Sequence, residues 1–353
     1  MGRWIEIRGR KIGPGYPAYV IAEMSSNHCK DFDRAVEIMK AAKAAGADAI
    51  KLQTYTPDTL TINCDKEYFC VGGNSLWKGE VLHDLYGKAC TPWDWQPKLK
   101  TVAEEMGLDL FSTPFDETAV DFLEAMNVPA YKIASFEVVH LPMIERIAQT
   151  GKPTIMSTGI ATLAEIDEAV RTFRKTGGTQ LALLKCTSAY PASPDEMNLR
   201  TIQHLADAFD LPVGLSDHSL YSAVPVTAVA LGACIVEKHF ALSRSDPSPD
   251  ASFSLEPPEL RQTVEAIRTA EQALGRVNYD VTEKEAAHRL LRRSIFVVQD
   301  VKAGNPFTKE NIRVIRPGHG LHTRYYHEVL GRCAACDISM GTPLAWSLIS
   351  GAK

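Results

Sequence analysis

The feature that most constrains the fold is a set of short apolar runs that alternate with helical patterns. Eight such runs occur between residues 19 and 240, starting at residues 19, 49, 108, 130, 153, 181, 212 and 234. Segments such as "FDRAVEIMKAAKAAG" and "LAEIDEAVRTFRKTG" between them have the periodicity of amphipathic helices. Because apolar strands that alternate with helices indicate a parallel sheet covered by helices, this chain is predicted to form an α/β (β/α)₈ TIM barrel. A doubly wound sheet is the alternative.

The character of the sequence changes after the eighth helical pattern. We predict a catalytic barrel over 1–277, a polar linker over 278–293 and a small domain over 294–353. The small domain contains an internal repeat, "DVKAGNPFTKENI" at 300–312 and "DISMGTPLAWSLI" at 337–349. In the two copies an Asp, a branched residue, a Gly, a Pro and an Ile recur at matched offsets. The repeat indicates a pseudo-symmetric β domain.

Composition excludes several classes of protein. The net charge of −5, without a long run of either sign, is not typical of a nucleic-acid-binding protein. No apolar stretch approaches the ~20 residues of a membrane span, and no apolar leader is present at the N-terminus. The eight cysteines are scattered along the chain, "CAAC" at 333–336 included. We therefore expect free thiols and a cytoplasmic location, with no membrane partner.

Two histidines follow the last two predicted strands. His218 comes after the seventh run and His239 ends the eighth. In a barrel of this type the active site lies at the carboxyl ends of the strands, and strands seven and eight are neighbours. The two imidazoles are therefore expected to converge on one pocket.

The other strand ends carry cationic and hydroxyl-bearing side chains. Lys51, Lys132 and Lys185 lie on runs two, four and six. Lysines with serine and threonine donors suit a phosphate group that has a second acid group nearby. The alternative is that the lysines pair with internal carboxylates. The remaining polar residues at strand ends are Glu23, Gln53, Thr113, Ser135, Glu137, Ser157, Thr158, Thr187, Ser188, Ser216 and Asp217.

The connection over residues 54–94 is too long for an ordinary barrel loop. It is rich in aromatic residues and leaves the predicted catalytic face. A long loop at that face is typical of a lid or a substrate wall. The alternative is an insertion that packs against a partner subunit.

Several motifs together resemble the nonulosonic (sialic) acid synthases, in order and spacing. The tail "SIFVVQDVKAGNPFTKENIRVIRPGHG" is similar to the antifreeze-like (SAF, β-clip) domain that follows the barrel in that family. The resemblance covers almost the whole chain. Within the family, "QTYTPDTLT", "IASFE" and "DASFSL" are most similar to the subgroup whose product is pseudaminic acid. The motifs that carry the resemblance are "IAEMSSNH", "KLQTY", "STPFD", "YKIASFE", "STGIAT", "KCTSAYP", "GLSDHS" and "EKHF".

The resemblance implies a transferase. Its members condense phosphoenolpyruvate with an open-chain acetamido sugar, and for this subgroup the sugar is 2,4-diacetamido-2,4,6-trideoxy-L-altrose. The products are a nine-carbon 2-keto acid and phosphate, released by C–O cleavage. Synthesis of N-acetylneuraminic or legionaminic acid is the nearest alternative. A Schiff-base aldolase that uses Lys132 or Lys185, and a sugar-binding protein without catalysis, are alternatives of different classes.

The resemblance also implies roles for individual residues. It makes His218 and His239 ligands of a divalent metal; two imidazoles are too few for a typical zinc site and suit Mn²⁺ or Mg²⁺. Glu23 and Glu137 fall at the bond-forming centre. Arg316 reaches the site from the partner chain of a domain-swapped homodimer. Gln53, Tyr190 and Asp250 fall near the sugar. The phosphoenolpyruvate contacts are Lys51, Thr113, Lys132, Ser135, Ser157 and Ser216.

Two positions refine these expectations. Phe136, between Ser135 and Glu137, is expected to offer apolar surface to a 6-deoxy sugar. Cys29 and Lys30 follow "NH" at 27–28, where the family usually has a Gly shortly afterwards, so the first strand–helix turn is expected to differ.

Overall fold

The structure is a computed structural model that describes residues 3–72 and 77–351. The chain divides into two compact units, Met1–Gly275 and Arg276–Lys353. Each unit is described by itself below.

The first unit is a closed parallel barrel, as the alternation of apolar runs predicts. Eight strands pair side by side, and the last barrel strand pairs with the first. Among the described residues of this unit the strands are β1 Ile5–Ile7, β2 Arg10–Ile12, β3 Tyr19–Glu23, β4 Ala49–Thr54, β5 Asp109–Pro114, β6 Tyr131–Ile133, β7 Thr154–Ser157, β8 Leu181–Cys186, β9 Val213–Asp217 and β10 Ile235–His239. The barrel consists of β3 to β10 in the order β10-β3-β4-β5-β6-β7-β8-β9.

Helices follow the strands, and several begin at a side chain that caps them. Asp31, Asp116 and Thr162 each accept a backbone N–H from the first turn of the following helix, which satisfies a donor that has no partner within the helix. The helices of this unit are α1 Phe32–Ala44, α2 Pro57–Leu60, α3 Leu82–Ala89, α4 Gln96–Glu105, α5 Glu117–Ala125, α6 Leu141–Gln149, α7 Leu163–Lys175, α8 Thr201–Phe209, α9 Ala223–Ala230 and α10 Pro257–Leu274.

The interior of the barrel has an apolar lower layer and a polar upper layer. Side chains alternate between the inside and the outside of each strand, so residues two apart point the same way. The side chains of the lower layer belong to one buried apolar cluster. Two residues further along the strands, the inward-pointing side chains are charged or carry hydroxyl groups. Barrel residues of the cluster are Tyr19, Ile21, Ala49, Phe111, Ala130, Ile155, Ala182, Leu184 and Ile235.

A short hairpin that the sequence analysis did not predict closes the amino-terminal end of the barrel. β1 and β2 pair antiparallel, and their turn places Arg8 and Gly9 in the left-handed region, with φ of 48° and 80°. Ile5, Ile7 and Ile12 have no exposed surface and pack in the same cluster as the lower layer. The buried lysines and glutamates of the barrel interior lie at the opposite end, where the strands finish.

The long connection after β4 contains structure of its own. It includes α2, a 3₁₀ turn at Glu67–Phe69 and α3, and its residues 73–76 lie outside the described part of the chain. The side chain of Trp93, at the end of this connection, donates to the backbone oxygen of Tyr55 at 3.1 Å. Both ends of the connection are therefore held together beside the barrel.

The second unit is a small β domain. β11 Ser294–Val297 and β12 Ile312–Ile315 pair antiparallel. The unit also contains α11 Glu283–Ala286 and α12 Tyr326–Val329. The stretch predicted as a linker includes α11 and a 3₁₀ helix at Ala287–Leu291, so it has ordered secondary structure rather than an irregular path.

The internal repeat of the second unit pairs with itself. Asp300 accepts the backbone N–H of Met340 at 2.7 Å, and Asp337 accepts that of Ala303 at 2.9 Å. Each aspartate therefore binds the residue three places after the other aspartate. Two exchanged backbone hydrogen bonds between residues 301 and 338 complete the arrangement. The repeated sequence thus corresponds to a local pseudo-twofold relation.

Two further expectations concern the whole chain. All eight cysteines are free thiols, as their scattered positions predict. Among the residues described, no helix combines the length and apolar character needed to cross a membrane.

Candidate active site

Four buried charges occupy the centre of the upper layer. Lys51 Nζ lies 2.5 Å from Glu23 Oε2 and 3.6 Å from Glu237 Oε1. Lys132 Nζ lies 3.4 Å from the same oxygen of Glu237. At most 5% of any of these residues is exposed. Two cations and two carboxylates thus compensate one another inside the barrel, which is the condition under which charges tolerate burial.

Hydroxyl groups surround the charges. Thr113 Oγ1 accepts a hydrogen bond from Lys51 at 3.2 Å, and Ser216 Oγ donates to Glu237 at 3.4 Å. Ser157 Oγ is buried, and within the described residues neither it nor Glu237 Oε2 has a hydrogen-bond partner. Buried polar atoms without a partner are uncommon in native proteins. These atoms are therefore free to bind a ligand.

The pKa directions identify the ionised carboxylate. Burial raises the pKa of Glu237, but Lys132 and Lys51 outweigh burial and the pKa is lowered. Burial raises the pKa of Glu23 more than Lys51 lowers it. Burial also lowers the pKa of Lys132, which Glu237 only partly offsets. The two lysines therefore favour the ionised form of Glu237.

The two histidines converge beside these charges, as the sequence predicts. The ring centroids of His218 and His239 are 5.3 Å apart. His218 Nδ1 lies 2.9 Å from the backbone oxygen of Thr187, so Nδ1 carries a proton and Nε2 is the nitrogen that remains for a ligand. In the described chain His239 Nδ1 has no hydrogen-bond partner, and burial, with His218 nearby, lowers the pKa of His239 well below its usual value. A pair of imidazoles with free lone pairs suits a divalent cation.

The protein offers few other ligands at this point. Within residues 3–72 and 77–351 no group of three or more His, Cys, Asp and Glu side chains could hold a metal ion. A cation at His218 and His239 would take its remaining ligands from water or substrate. Such an open coordination sphere is typical of catalytic rather than structural metals.

Aromatic rings form one wall next to the histidines. The ring of Tyr190 lies 4.4 Å from that of His218, and the ring of Phe253 lies 5.0 Å from that of His239. Trp77, from the long connection after β4, lies 6.2 Å from Tyr190. The connection therefore reaches the candidate site, as expected for a substrate wall.

A second polar chain joins Glu23 to the loop before α10. Gln53 Nε2 donates to Glu23 Oε1 and to Ser25 Oγ, both at 3.0 Å. Ser25 and Ser26 in turn donate to Asp250 Oδ2, Ser26 Oγ at 2.8 Å. The structure thus places Gln53 and Asp250, two residues predicted to contact the sugar, in one network with Glu23.

The turn after β6 carries three of the predicted site residues. Ser135 Oγ accepts the backbone N–H of Gly159 at 3.1 Å. Burial raises the pKa of Glu137 to about 7, against the lowering effect of Lys132, and its Oε2 has no hydrogen-bond partner among the described atoms. Phe136, between them, is 58% exposed. Its side chain is therefore largely open to solvent.

The asparagine and histidine of the first strand–helix turn have structural roles. Asn27 Nδ2 donates to the backbone oxygen of Phe240 at 3.0 Å. His28 lies 3.1 Å from Thr91 Oγ1, and burial lowers the pKa of His28 to about 4. Cys29 and Lys30 both have left-handed backbone conformations, with φ of 50° and 60°. The altered turn is thus accommodated without bringing His28 to the charged centre.

One predicted residue lies apart from this group, and another belongs to the second unit. Lys185 does not join the other two lysines: its Nζ donates to the backbone oxygen of Cys186 and to Thr187 Oγ1, at 2.8 and 3.1 Å. Lys185 directly follows Leu184, whose side chain is part of the interior cluster. Because neighbouring side chains on a strand point to opposite faces, Lys185 belongs to the outer face of β8. Arg316 is exposed and directly follows β12, in the second unit.

The sequence analysis missed two residues of the upper layer, Glu237 and Cys186. Glu237 stands two places before His239 on the same strand, so it must share the inward face. Cys186 Sγ lies 4.0 Å from His218 Nδ1 and stands two places after the interior residue Leu184. In both cases the sequence signal for an inward position was the alternation of inward and outward side chains along the strand.

Comparison with known proteins gives consistent results. The NeuB family model matches residues 38–279, and the SAF domain model matches residues 292–350. The chain is 45% identical to "Pseudaminic acid synthase" of Campylobacter jejuni, over 92% of this chain and 95% of that protein. It is 37% identical to "N,N'-diacetyllegionaminic acid synthase" of Legionella pneumophila, over 99% of both chains.

A solved structure extends the similarity to three dimensions. It is the N-acetylneuraminic acid (sialic acid) synthetase of Leptospira borgpetersenii, in complex with citrate. Its TM-score is 0.71 at 32% sequence identity, and the match covers 82% of this chain and 95% of that one.

The mostly buried carboxyl of Glu137 predicts a stability difference that depends on pH. Its pKa of about 7 in the folded chain exceeds the value of about 4.3 for an unfolded chain. Ionisation as the pH rises between these values therefore costs folding free energy, up to ~3 kcal/mol before any reduction for partial exposure. We expect Glu137→Gln to have a higher melting temperature than wild type at pH 8, with most of the difference lost by pH 5.

The matched control is Glu168→Gln, on the exposed face of α7, which should show no difference from wild type at either pH. Equal melting temperatures of Glu137→Gln and wild type at pH 8, measured by calorimetry, would contradict the assigned burial.

Proposed function

Because this chain belongs to the NeuB family, we propose that it joins phosphoenolpyruvate to an open-chain acetamido sugar. The product is a nonulosonic acid, and inorganic phosphate is released. We further propose that the sugar is 2,4-diacetamido-2,4,6-trideoxy-L-altrose and the product pseudaminic acid. Identity of 45% to the pseudaminic acid synthase, against 37% to the legionaminic acid synthase, supports this choice within the family.

One observation carries the proposal: two buried lysines and the unpartnered hydroxyl of Ser157 lie in the same buried layer as two converging imidazoles. Phosphoenolpyruvate brings a phosphate and a carboxylate, and such anions are bound by ammonium groups and hydroxyl donors. Lys51 and Lys132 share a single oxygen of Glu237 at 3.6 and 3.4 Å. Both distances are long for an ion pair, so Lys132 retains donors for an incoming anion, and Lys51, which also contacts Glu23 and Thr113, retains one.

The roles of the surrounding residues follow from their positions. Ser157 and Ser216 offer hydroxyl donors, and Ser135 and Thr113 border the same end of the barrel. Glu237 compensates the lysines until the anion binds. The residues proposed to contact phosphoenolpyruvate are Lys51, Thr113, Lys132, Ser135, Ser157 and Ser216.

We propose that His218 and His239 hold a divalent cation, Mn²⁺ or Mg²⁺. When bound, the cation polarises the aldehyde of the sugar. The chain contributes the fixed tautomer of His218, through its bond to the Thr187 oxygen, and the wall formed by Tyr190 and Phe253. That wall limits the access of water to one side of the histidines.

The proposed reaction proceeds in two stages. Carbon 3 of phosphoenolpyruvate attacks the aldehyde carbon, a C–C bond forms, and carbon 2 becomes cationic. Water then adds to carbon 2, and the bond from carbon 2 to the phosphate oxygen breaks. One proton of the water goes to the new sugar alkoxide and the other leaves with phosphate.

Of the two predicted catalytic carboxyls, Glu137 suits the proton transfers. Its pKa of about 7 lets it both accept and return a proton near neutral pH. Glu23 is held 2.5 Å from Lys51 and also accepts from Gln53, so it suits charge stabilisation at carbon 2 and orientation of the sugar. Gln53, Tyr190 and Asp250 are proposed to contact the sugar.

Phosphate release across a panel of acetamido sugars tests the substrate. With phosphoenolpyruvate present, we expect the highest kcat/KM for the 6-deoxy diacetamido altrose. An apolar pocket distinguishes an added hydroxyl or methylene by about 10–200-fold, so N-acetylmannosamine should be poorer by about that factor. Higher efficiency with N-acetylmannosamine would contradict the proposed subgroup. Borohydride trapping of a covalent lysine adduct would indicate a Schiff-base aldolase instead.

Removal of either histidine should abolish cation binding. Titration of Mn²⁺ by electron paramagnetic resonance should give at least a hundredfold weaker binding for His218→Ala and His239→Ala, since each supplies half of the protein ligands. His204→Ala, on the exposed side of α8, is the control and should bind as wild type does. Wild-type affinity in either active-site variant would refute the assignment.

We also propose that the chain forms a domain-swapped homodimer in which Arg316 of each chain completes the partner's site. The proposal rests on the family resemblance and on the chemistry of the residue. A guanidinium presents five donors in a plane and binds carboxylate or amide oxygens well. Arg316 is exposed at the end of β12, so its own unit leaves the side chain accessible.

Mixed dimers test whether Arg316 acts on the partner's site. Arg316→Ala and His218→Ala homodimers should both be nearly inactive. After the two variants are unfolded and refolded together, about half of the dimers are mixed. One site of each mixed dimer then carries both lesions and the other carries neither, so activity should rise towards about a quarter of wild type. If Arg316 acts within its own chain, every site keeps one lesion and no activity returns.

A further inference from the structure

We propose that Lys238 and Asp217 form a positioning pair that holds the two histidines at their mutual distance. The inference rests on the proposed metal role of His218 and His239. It assigns a function to a buried ion pair that is outside the ligand-binding layer.

The pair is fully enclosed, and both of its members are hydrogen-bonded. Lys238 Nζ lies 2.8 Å from Asp217 Oδ2 and also donates to the backbone oxygen of Ser219. Ser219 N donates to Asp217 Oδ1 at 2.8 Å. No more than 2% of any of the three residues is exposed. One ammonium group therefore binds the residue before His218 and the residue after it.

The register of the strands makes this contact specific to the histidines. Lys238 is opposite Asp217 in the pairing of β10 with β9, and this is the last pair of that ladder. His218 comes immediately afterwards, where no strand hydrogen bonds hold it. The side chain of Lys238 thus holds the chain directly after the last pair of the ladder, next to His218.

Lys238 also adjoins the second histidine directly. His239 follows it and is opposite Glu23 in the pairing of β10 with β3. Glu237 and His239 face the interior, so Lys238 faces outwards, on the side of the helices. Its ion pair and hydrogen bond, among the described residues, are to Asp217 and Ser219, so it acts on the imidazoles through the backbone and, for His239, also through its charge. It is a positioning residue, not a catalytic one.

Stability alone does not account for such a pair. A buried ion pair loses about as much in desolvation as it gains from its attraction, and well-packed apolar residues of the same volume often replace it without loss. What apolar residues do not supply is a fixed hydrogen-bond geometry around Ser219. Substitution of a group that orients a metal ligand through hydrogen bonds typically lowers metal affinity by about 10–100-fold.

The test removes both charges at once. Asp217→Asn combined with Lys238→Met leaves no unpaired charge inside the protein and keeps the volume nearly constant. We expect Mn²⁺, titrated in the absence of substrates, to bind this variant at least tenfold more weakly than wild type. Arg146→Met combined with Asp121→Asn, which removes the ion pair of 2.6 Å on the outside of the barrel, is the matched control and should bind as wild type.

The single variant Asp217→Asn extends the test if the double variant does not fold. It keeps one acceptor oxygen, for either Ser219 N or Lys238, replaces the other with an NH₂ donor and removes the negative charge. We expect a loss of Mn²⁺ affinity of about threefold or more with circular dichroism unchanged. Wild-type Mn²⁺ affinity in a folded variant overturns the positioning role. If wild type itself binds no Mn²⁺ and releases phosphate in chelator, the metal proposal fails, and the positioning role fails with it.

Discussion

The arrangement of the site depends on the compensation of charge around Glu237. An unpaired ammonium or carboxylate inside the barrel would cost several kcal/mol. Glu237 lies within reach of both Lys51 and Lys132, and Glu23 adds a second contact to Lys51. The barrel can therefore hold two cations ready for an anionic substrate without holding a net charge. An incoming anion exchanges one set of ionic contacts for another, which keeps the reorganisation small.

This charged centre is possible because the other end of the barrel is dry and closed. The hairpin of β1 and β2 inserts Ile5, Ile7 and Ile12 into the same cluster as the lower layer of the barrel. The apolar floor lowers the effective dielectric constant beneath the charges and strengthens their interactions. It also leaves the carboxyl ends of the strands as the only route by which substrates can approach along the barrel axis, in the part of the chain that the structure describes.

The orientation of the two histidines depends on the residues around them. The Thr187 oxygen selects the tautomer of His218, and Lys238 binds the residues on both sides of it. Tyr190 and Phe253 pack against the rings. The two imidazoles are thus oriented by hydrogen bonds on one side and by packing on the other. The same division between an inner reacting layer and an outer supporting layer follows from the alternation of side chains along each strand.

The sequence by itself determined the eight strands, their polar ends and the convergence of His218 and His239, because these follow from local periodicity and from the topology of a barrel. Family motifs added the expected chemistry. Only the tertiary structure decided that Lys185 faces outwards while Glu237 faces the lysines, since an error of one residue in a strand reverses its faces. It also decided that a hairpin of two three-residue strands closes the barrel and that Lys238 binds Asp217. Those contacts join residues far apart in the chain, and their partners depend on the register and packing of the folded strands rather than on any local pattern.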